Sequence, residues 1–596
     1  MRKIILSLCV VLLACSSHKE KKETATVMNK SSDKVIIYQL MTRLFGNKAT
    51  VNKQYGTIEE NGVGKFEDIN NVALKAIRDL GATHIWCTGV IEHAVLTDYT
   101  KYGIPLDDAD VVKGRAGSPY AIKDYYDVDP DLAVDVPHRM EEFEALVSRT
   151  HEAGLKVIID FVPNHVARAY KSDAKPEGVR DLGEQDDTSQ AFSPGNNFYY
   201  LPGQSFRVPS GYNPLGDYTF PTKDGKFEET PAKVTGNDQF TASPGINEWF
   251  ETVKLNYGVD ILGGRKSYFD PVPDTWIKMR DILIFWAKKS VDGFRCDMAE
   301  MVPVEFWGWV IPQVREVNAN IIFIAEIYNP DQYRNYIEAG RFDYLYDKVL
   351  LYDTLRLLIN GQLGTKDIGE IQKRLSGINS NMLHFLENHD EQRIASKFFA
   401  GSPWKALPGM VISATIDKGP VMIYFGQEVG EPAYGAEGFQ GDDGRTTIFD
   451  YWGVAEHQKW MNNGRFDGEM LSEEQKQLRQ FYGRLLNIAA TNTSITRGEY
   501  IDITEFNQRQ SNFNEKVHAF LRYYQSEKVL IVTSFNDQEQ NVKVEIPHEA
   551  AIEIGIEAQA RHAVKDILGN EGKLEIENLI LNLPVKPYAS HIFQIQ

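Results

Sequence analysis

Four apolar runs in this chain each end on carboxylates or histidines. Lys156 to Ile159 leads into Asp160-Phe161-Val162-Pro163-Asn164-His165, and Val291-Asp292-Gly293-Phe294-Arg295-Cys296-Asp297 closes on its own charged pair. Ile321 to Ala325 stops at Glu326, and Met382 to Leu386 runs into Glu387-Asn388-His389-Asp390. Short apolar runs bounded in this way read as strands, and parallel barrels present reactive groups at the carboxyl ends of their strands. Alternation along the second run places Arg295 and Asp297 on one side and Cys296 on the other. An Arg two residues from an Asp is most often a structural ion pair, but four such strand ends in one chain point to a shared site.

The segments between these runs fit a barrel. Residues 35–40 form a first strand, and a helix over 68–80 carries Ile69, Val72, Ala73, Ala76, Ile77 and Leu80 on one stripe before Gly81 stops it. His84 to Cys87 is a second strand, and helix 139–152 leads through Gly154 into strand 156–160. The segment from His165 to Asp274 is rich in Gly, Pro, Asn, Asp and aromatics and lacks helical periodicity. So long an irregular stretch is normally functional, here a small domain over the barrel mouth. Helix 274–289, with Asp274 as its expected cap, resumes the alternation. Strands follow at 291–297, 321–326, near Phe342 to Tyr346, at 381–386 and at 420–425, separated by helical stretches 303–317, 330–339 and 349–359. Helix 473–490 closes the unit, and beyond about residue 495 only strand patterns remain, as in a β-sandwich.

These boundaries give a barrel over 35–165 and 271–494, an inserted domain over 166–270 and a terminal sandwich over 495–596. Hydrophobic content of 42% and charged content of 25% suit a globular protein with ample core. The formal net charge of −19 argues against nucleic acid or an anionic membrane surface as partner, since both need a basic face. A neutral substrate fits better, and no organic cofactor is expected. At the amino end, Arg2 and Lys3, the apolar run Ile4 to Leu13 and Ala14-Cys15 form a targeting signal over 1–14 that is too short to be a permanent span. Leu12-Leu13-Ala14-Cys15 resembles a bacterial lipoprotein signal, which implies lipidation of Cys15, a flexible tether over 15–34 and a place on the cell envelope, at the outer membrane or cell surface. A plain secretory signal is the alternative. Cys87 and Cys296 read as buried thiols without chemistry.

Together the motifs resemble the α-amylase family, glycoside hydrolase family 13, over most of residues 35–596. Asp160 to His165, Gly293 to Asp297, Glu326 and Asn388-His389-Asp390 match its four signatures in order, and Gly419 to Glu428 is similar to its last barrel strand. The resemblance implies an α/β fold, a (β/α)8 TIM barrel with an inserted domain after strand 3 and a C-terminal antiparallel β-sandwich. It implies a retaining hydrolase of α-1,4-glucosidic bonds in starch-type glucans or maltooligosaccharides. Asp297 would be the nucleophile, Glu326 the acid/base and Asp390 the third carboxylate. Retaining chemistry needs one ionised and one protonated carboxyl about 5–5.5 Å apart. Arg295 is expected to keep Asp297 ionised, with Asp297 and Asp390 raising Glu326.

Among substrate contacts, Tyr120, in Gly117-Ser118-Pro119-Tyr120, would stack under the scissile sugar, and His165 and His389 would bond its hydroxyls. Arg295 and Asp160 complete that set, Asp160 as a buttress. Trp249, Phe250 and Tyr257 would suit further subsites, although core packing is the commoner fate of such residues. Asn164 implies a Ca²⁺ site with oxygens from the insertion such as Asp181, Asp186 and Asp187, while a structural Asn164 bonded to loop backbone is the alternative. Ser118, Glu300 and Met301 stand where many α-amylases have histidine or Lys-His on the leaving-group side. This leaves transglycosylation or α-1,6 cleavage open beside endo-hydrolysis, with a non-catalytic glucan binder as the remaining class; oligomeric state is not legible.

Overall fold

The structure, a computed structural model, describes residues 34–596 apart from 440, 511, 512 and 571. The targeting signal, Cys15 and nearly all of the tether lie outside the described residues. Eight parallel strands form the first sheet: β1 (Ile36–Met41), β2 (His84–Thr88), β3 (Lys156–Phe161), β4 (Gly293–Cys296), β5 (Ile322–Ala325), β6 (Tyr344–Tyr346), β7 (Met382–Leu383) and β8 (Val421–Tyr424). Their order is β7-β6-β5-β4-β3-β2-β1-β8, and a parallel bridge from His384 to Val421 closes the ring. Each strand is followed by a helix: α1 (Asn71–Leu80), α2 (Arg139–Glu152), α3 (Asp274–Lys288), α4 (Val304–Arg315), α5 (Tyr333–Glu338), α6 (Asp353–Ile359), α7 (Leu407–Thr415) and α8 (Glu473–Thr491). The chain therefore forms the (β/α)8 barrel expected of it.

Local chemistry sets the element ends. Asn70 caps α1 by accepting from the N–H groups of Val72 and Ala73, and Gly81 ends it at φ +114°, where a side chain would be strained. The expected cap of α3 is corrected: Pro273 holds the cap position, and Asp274, the first helical residue, pairs instead with Lys278 at 2.8 Å. Strand 7 is also shorter than its apolar run, because only Met382 and Leu383 pair with β6 before the chain turns toward β8.

The loop after β2 carries an antiparallel hairpin, Ile91–His93 against Ile122–Val128. Between β3 and α3 the insertion contains no helix and only short strand pairs, including His165–Ala167 with Thr252–Lys254. Its own apolar cluster includes Tyr199, Phe206, Val234 and Phe250.

Eight antiparallel strands follow the barrel: β9 (Glu499–Asp502), β10 (Val517–Tyr524), β11 (Glu527–Ser534), β12 (Gln540–Glu545), β13 (Arg561–Asp566), β14 (Leu574–Glu577), β15 (Ile580–Val585) and β16 (Ser590–Ile595). They form one hydrogen-bonded sheet in the order β9-β10-β11-β16-β13-β14-β15-β12, whose two halves share a core. Leu521, Leu530 and Phe593 face that core, while Phe520, Ile531 and Ile592 pack against the barrel. Buried Arg522 fastens the junction by donating to the carbonyls of Ile416, Ser494, Ile495 and Gly498.

Candidate active site

The strand ends meet at the barrel mouth. Register places Arg295 beside Asp160 on β3 and Ile324 on β5, so Asp297 and Glu326 stand one step beyond the paired residues of neighbouring strands. Their backbones continue the ladders, Asp297 N–H to Phe161 O at 2.9 Å and Glu326 N–H to Cys296 O at 3.2 Å. Cys296 faces the core, as alternation requires.

One guanidinium joins the acids. Arg295, fully buried, places Nη1 3.1 Å from Asp297 Oδ1 and 3.4 Å from Asp160 Oδ1, Nη2 2.8 Å from Glu326 Oε2, and Nε 3.1 Å from the Tyr346 hydroxyl. Glu326 also accepts from Met298 N–H at 2.7 Å and from the Tyr328 hydroxyl at 2.7 Å. Met298 adopts φ +42°, an uncommon conformation for a non-glycine residue and one that aims its N–H at Glu326. Asp297 receives less, because its Oδ2 has no hydrogen-bond partner and His165 Nε2 lies 3.9 Å away.

For Asp297 the electrostatics run against expectation. Burial and the neighbouring Glu326 carboxylate push the Asp297 carboxyl well above its usual range, against the pull of Arg295. Sequence spacing pairs Arg295 with Asp297, yet its shorter contact is with Glu326. Burial acts to raise Asp390 too, but the His389 ring, 3.0 Å away, together with Arg295 and Arg445, holds it below the usual range. His165 is lowered to about 3 by burial and by Lys254, so it is neutral.

Asp297, Glu326 and Asp390 line a cavity of about 440 Å³ with Tyr120, His165, Trp249, Tyr328 and, from the loop after β8, Phe439 and Phe449. Arg295, His389 and Asp160 do not line it: they are almost fully buried and stand behind its wall. In this structure their side chains engage other residues of the site, Asp160 in the buttressing place expected of it. His389 holds the Tyr120 hydroxyl at 2.5 Å and is itself met by Gln39 at 2.8 Å, and Asp160 accepts from Trp86 Nε1 at 2.9 Å. Trp249 reaches the cavity beside the His165 ring, whereas Phe250 and Tyr257 belong to the core. Sequence reading misses Tyr328, although strand alternation two residues after Glu326 could have found it. It also misses the loop aromatics, which no periodicity marks. Glu300 accepts from the N–H groups of Tyr328 and Asn329, at 2.9 and 3.0 Å, and so braces the loop that carries Tyr328.

The calcium expected at Asn164 does not fit the residues present. The Asn164 side-chain oxygen accepts from Lys254 Nζ, and its amide donates to Gly236 O at 2.8 Å. Lys254 Nζ also lies 2.9 Å from Asp238 Oδ1 and 3.4 Å from Met301 O. An ammonium thus already fills the space among these oxygens. The insertion's aspartates are engaged elsewhere: Asp181 pairs with Lys175, Asp186 accepts from the N–H groups of Asn197 and Phe198, and Asp187 binds Ser189.

Comparison with known proteins agrees with this architecture. The family model described as "Alpha amylase, catalytic domain" matches residues 51–214 and 270–448. Alpha-amylase 3 of Dictyoglomus thermophilum is 23% identical over 445 residues, covering 70% of this chain and 74% of that one. Neopullulanase 2 of Thermoactinomyces vulgaris is 20% identical over 435 residues, 72% of this chain and 59% of its own length. The crystal structure of the α-amylase of Geobacillus thermoleovorans in complex with acarbose superposes with a TM-score of 0.60 at 17% identity, over 95% of this chain and 99% of that one.

Proposed function

Since the chain belongs to the alpha-amylase family and is a glycoside hydrolase, we propose that it cleaves α-1,4-glucosidic bonds in starch-type glucans or maltooligosaccharides with retention of configuration. The observation that carries this reading is the pair Asp297 and Glu326, on neighbouring strand ends and one guanidinium, both lining the cavity, with Asp297 Oδ2 free of donors. Retaining enzymes set their two carboxyls about 5–5.5 Å apart, a separation that adjacent strand ends can supply.

In the first step Asp297 Oδ2 attacks the anomeric carbon as the glycosidic bond breaks, and Glu326 gives its proton to the departing oxygen. The glycosyl ester at Asp297 is then hydrolysed by water, whose proton returns to Glu326. The Asp297 carboxyl is raised by burial and by Glu326, and the reactive arrangement needs transfer of any proton it holds to Glu326. A sugar oxygen seated against Glu326 and the loss of water from the cavity would favour that transfer. Asp390, held ionised by His389, would grip hydroxyls and support positive charge at the ring. Tyr120 would offer its face to the sugar.

Proton NMR of maltooligosaccharide digestion tests the proposal: the α-anomer should appear first, and Asp297→Asn should lower kcat by about 10³-fold or more while still binding oligosaccharide. A β-anomeric product, or full activity in that variant, would refute it. The apolar wall formed by Trp249, Phe439 and Phe449 favours a second reading, in which a sugar acceptor displaces water and the enzyme transglycosylates. Products longer than maltotriose, formed from maltotriose, would establish that route.

A further inference from the structure

Outside the catalytic cavity, three carboxylates converge where the hairpin after β2 meets the start of the insertion. Glu92, in the first hairpin strand, pairs in register with Asp124 in the second, and Asp173 comes from the insertion. One oxygen from each lies within 4.8 Å of the other two. Asp124 is fixed by the N–H groups of Tyr126, Asp173 and Ala174 at 2.8, 2.9 and 3.0 Å and by the Ser172 hydroxyl at 2.6 Å. Glu92 is different: it is 1% exposed, and its Oε2 has no hydrogen-bond partner.

The cations nearby are committed elsewhere. Lys123 pairs with Asp107 and donates to Pro105 O, Arg139 pairs with Asp127, and Lys175 pairs with Asp181. A buried carboxylate left in this state is costly unless a proton or a cation joins it. A cation is favoured by the mutual spacing, because oxygens about 2.3–2.6 Å from a shared Ca²⁺ are at most about 5 Å apart. Asp173 is exposed, so water can reach the cluster and complete a hard, all-oxygen shell.

We propose that Glu92, Asp124 and Asp173 bind one Ca²⁺, which joins the hairpin to the insertion. The second hairpin strand begins at Ile122, two residues after Tyr120, so the ion would steady the wall of the catalytic cavity from behind. The full-length protein, stripped with EDTA and titrated calorimetrically with CaCl2, should take up one ion per chain and melt at a higher temperature with the ion bound. Mg²⁺, which demands a tighter octahedron, should bind more weakly. Glu92→Gln should abolish uptake, and Asp173→Asn, a surface change that does not threaten the fold, should weaken it about tenfold or more. Absence of uptake by the wild type, or uptake unaltered in both variants, would overturn the proposal. So would an infrared band of a protonated Glu92 carboxyl at neutral pH that persists in saturating Ca²⁺, since a proton alone would then balance the cluster.

Discussion

Repulsion from the Glu326 carboxylate is, after burial, the largest influence raising the Asp297 carboxyl. Replacing Glu326 by Gln removes that repulsion and leaves Arg295 beside Asp297. The Asp297 carboxyl should then ionise more readily, and the acid limb of its reaction with an activated glycosyl fluoride, which needs no acid catalyst, should move to lower pH by about one unit or more. An unmoved limb would mean that burial alone governs Asp297. The variant should also lose most turnover of unactivated maltooligosaccharides while retaining that of the fluoride. At this scale the sequence marks which side chains reach the mouth but not how donors are divided among them. Spacing puts Arg295 and Asp297 on one face, whereas the closer grip on Glu326 comes from β5 lying alongside β4 and from the turn at Met298, neither of which local periodicity encodes.

Among the elements, β7 carries an unusual load, because the residue after its two paired positions closes the barrel. His384 is buried with Nε2 2.8 Å from Asp417 and Nδ1 3.3 Å from Asp347. Burial alone would lower it, but Asp417 and Asp347 together raise it to about 9. Its folded value lies above the unfolded value of about 6.5, so its contribution is fully present below about pH 6.5 and is lost as pH rises through about 9, a change of about 3 kcal/mol. Thermal melts of the wild type should therefore fall between pH of about 6 and about 10 more steeply than those of His384→Gln, which should melt lower at the acidic end; parallel curves would refute the assignment. The apolar runs of the barrel strands are legible because burial on both faces leaves few polar residues within them, and polar groups punctuate their ends. Strand β13 is not legible: of Arg561-His562-Ala563-Val564-Lys565-Asp566 only Val564 is buried, too little for a pattern. The cap of α3 misleads for a different reason, since Pro273 supplies the extended backbone and frees Asp274 to pair within the helix.

For the molecule as a whole, the formal charge of −19 makes a structural cation valuable wherever acidic loops meet, and Lys254 supplies one from within the chain. It sits on the short strand Thr252–Lys254, which pairs with His165–Ala167, and its ammonium gathers Asn164 at the end of β3, Asp238 of the insertion and Met301 O after β4. One side chain thus ties the insertion to the two strand ends that carry His165 and Asp297. The family's signature residue Asn164 is legible in the sequence, but its partner is not, because Lys254 lies ninety residues further on in a stretch without regular period. Lys254→Met keeps the length and apolar stem of the side chain and removes only the charge. Breaking a buried pair in this way costs about 3–5 kcal/mol, and the partial exposure of Asp238 argues for the lower end. The variant should melt several degrees lower, and a protease should cut it first within residues 166–270. Because His165 lies on that strand pair and Trp249 three residues before it, its KM for maltooligosaccharides should rise more than its kcat falls. If melting, cleavage pattern and KM all stay as in the wild type, the insertion is held by its apolar contacts, and the ammonium among these oxygens is incidental to its placement.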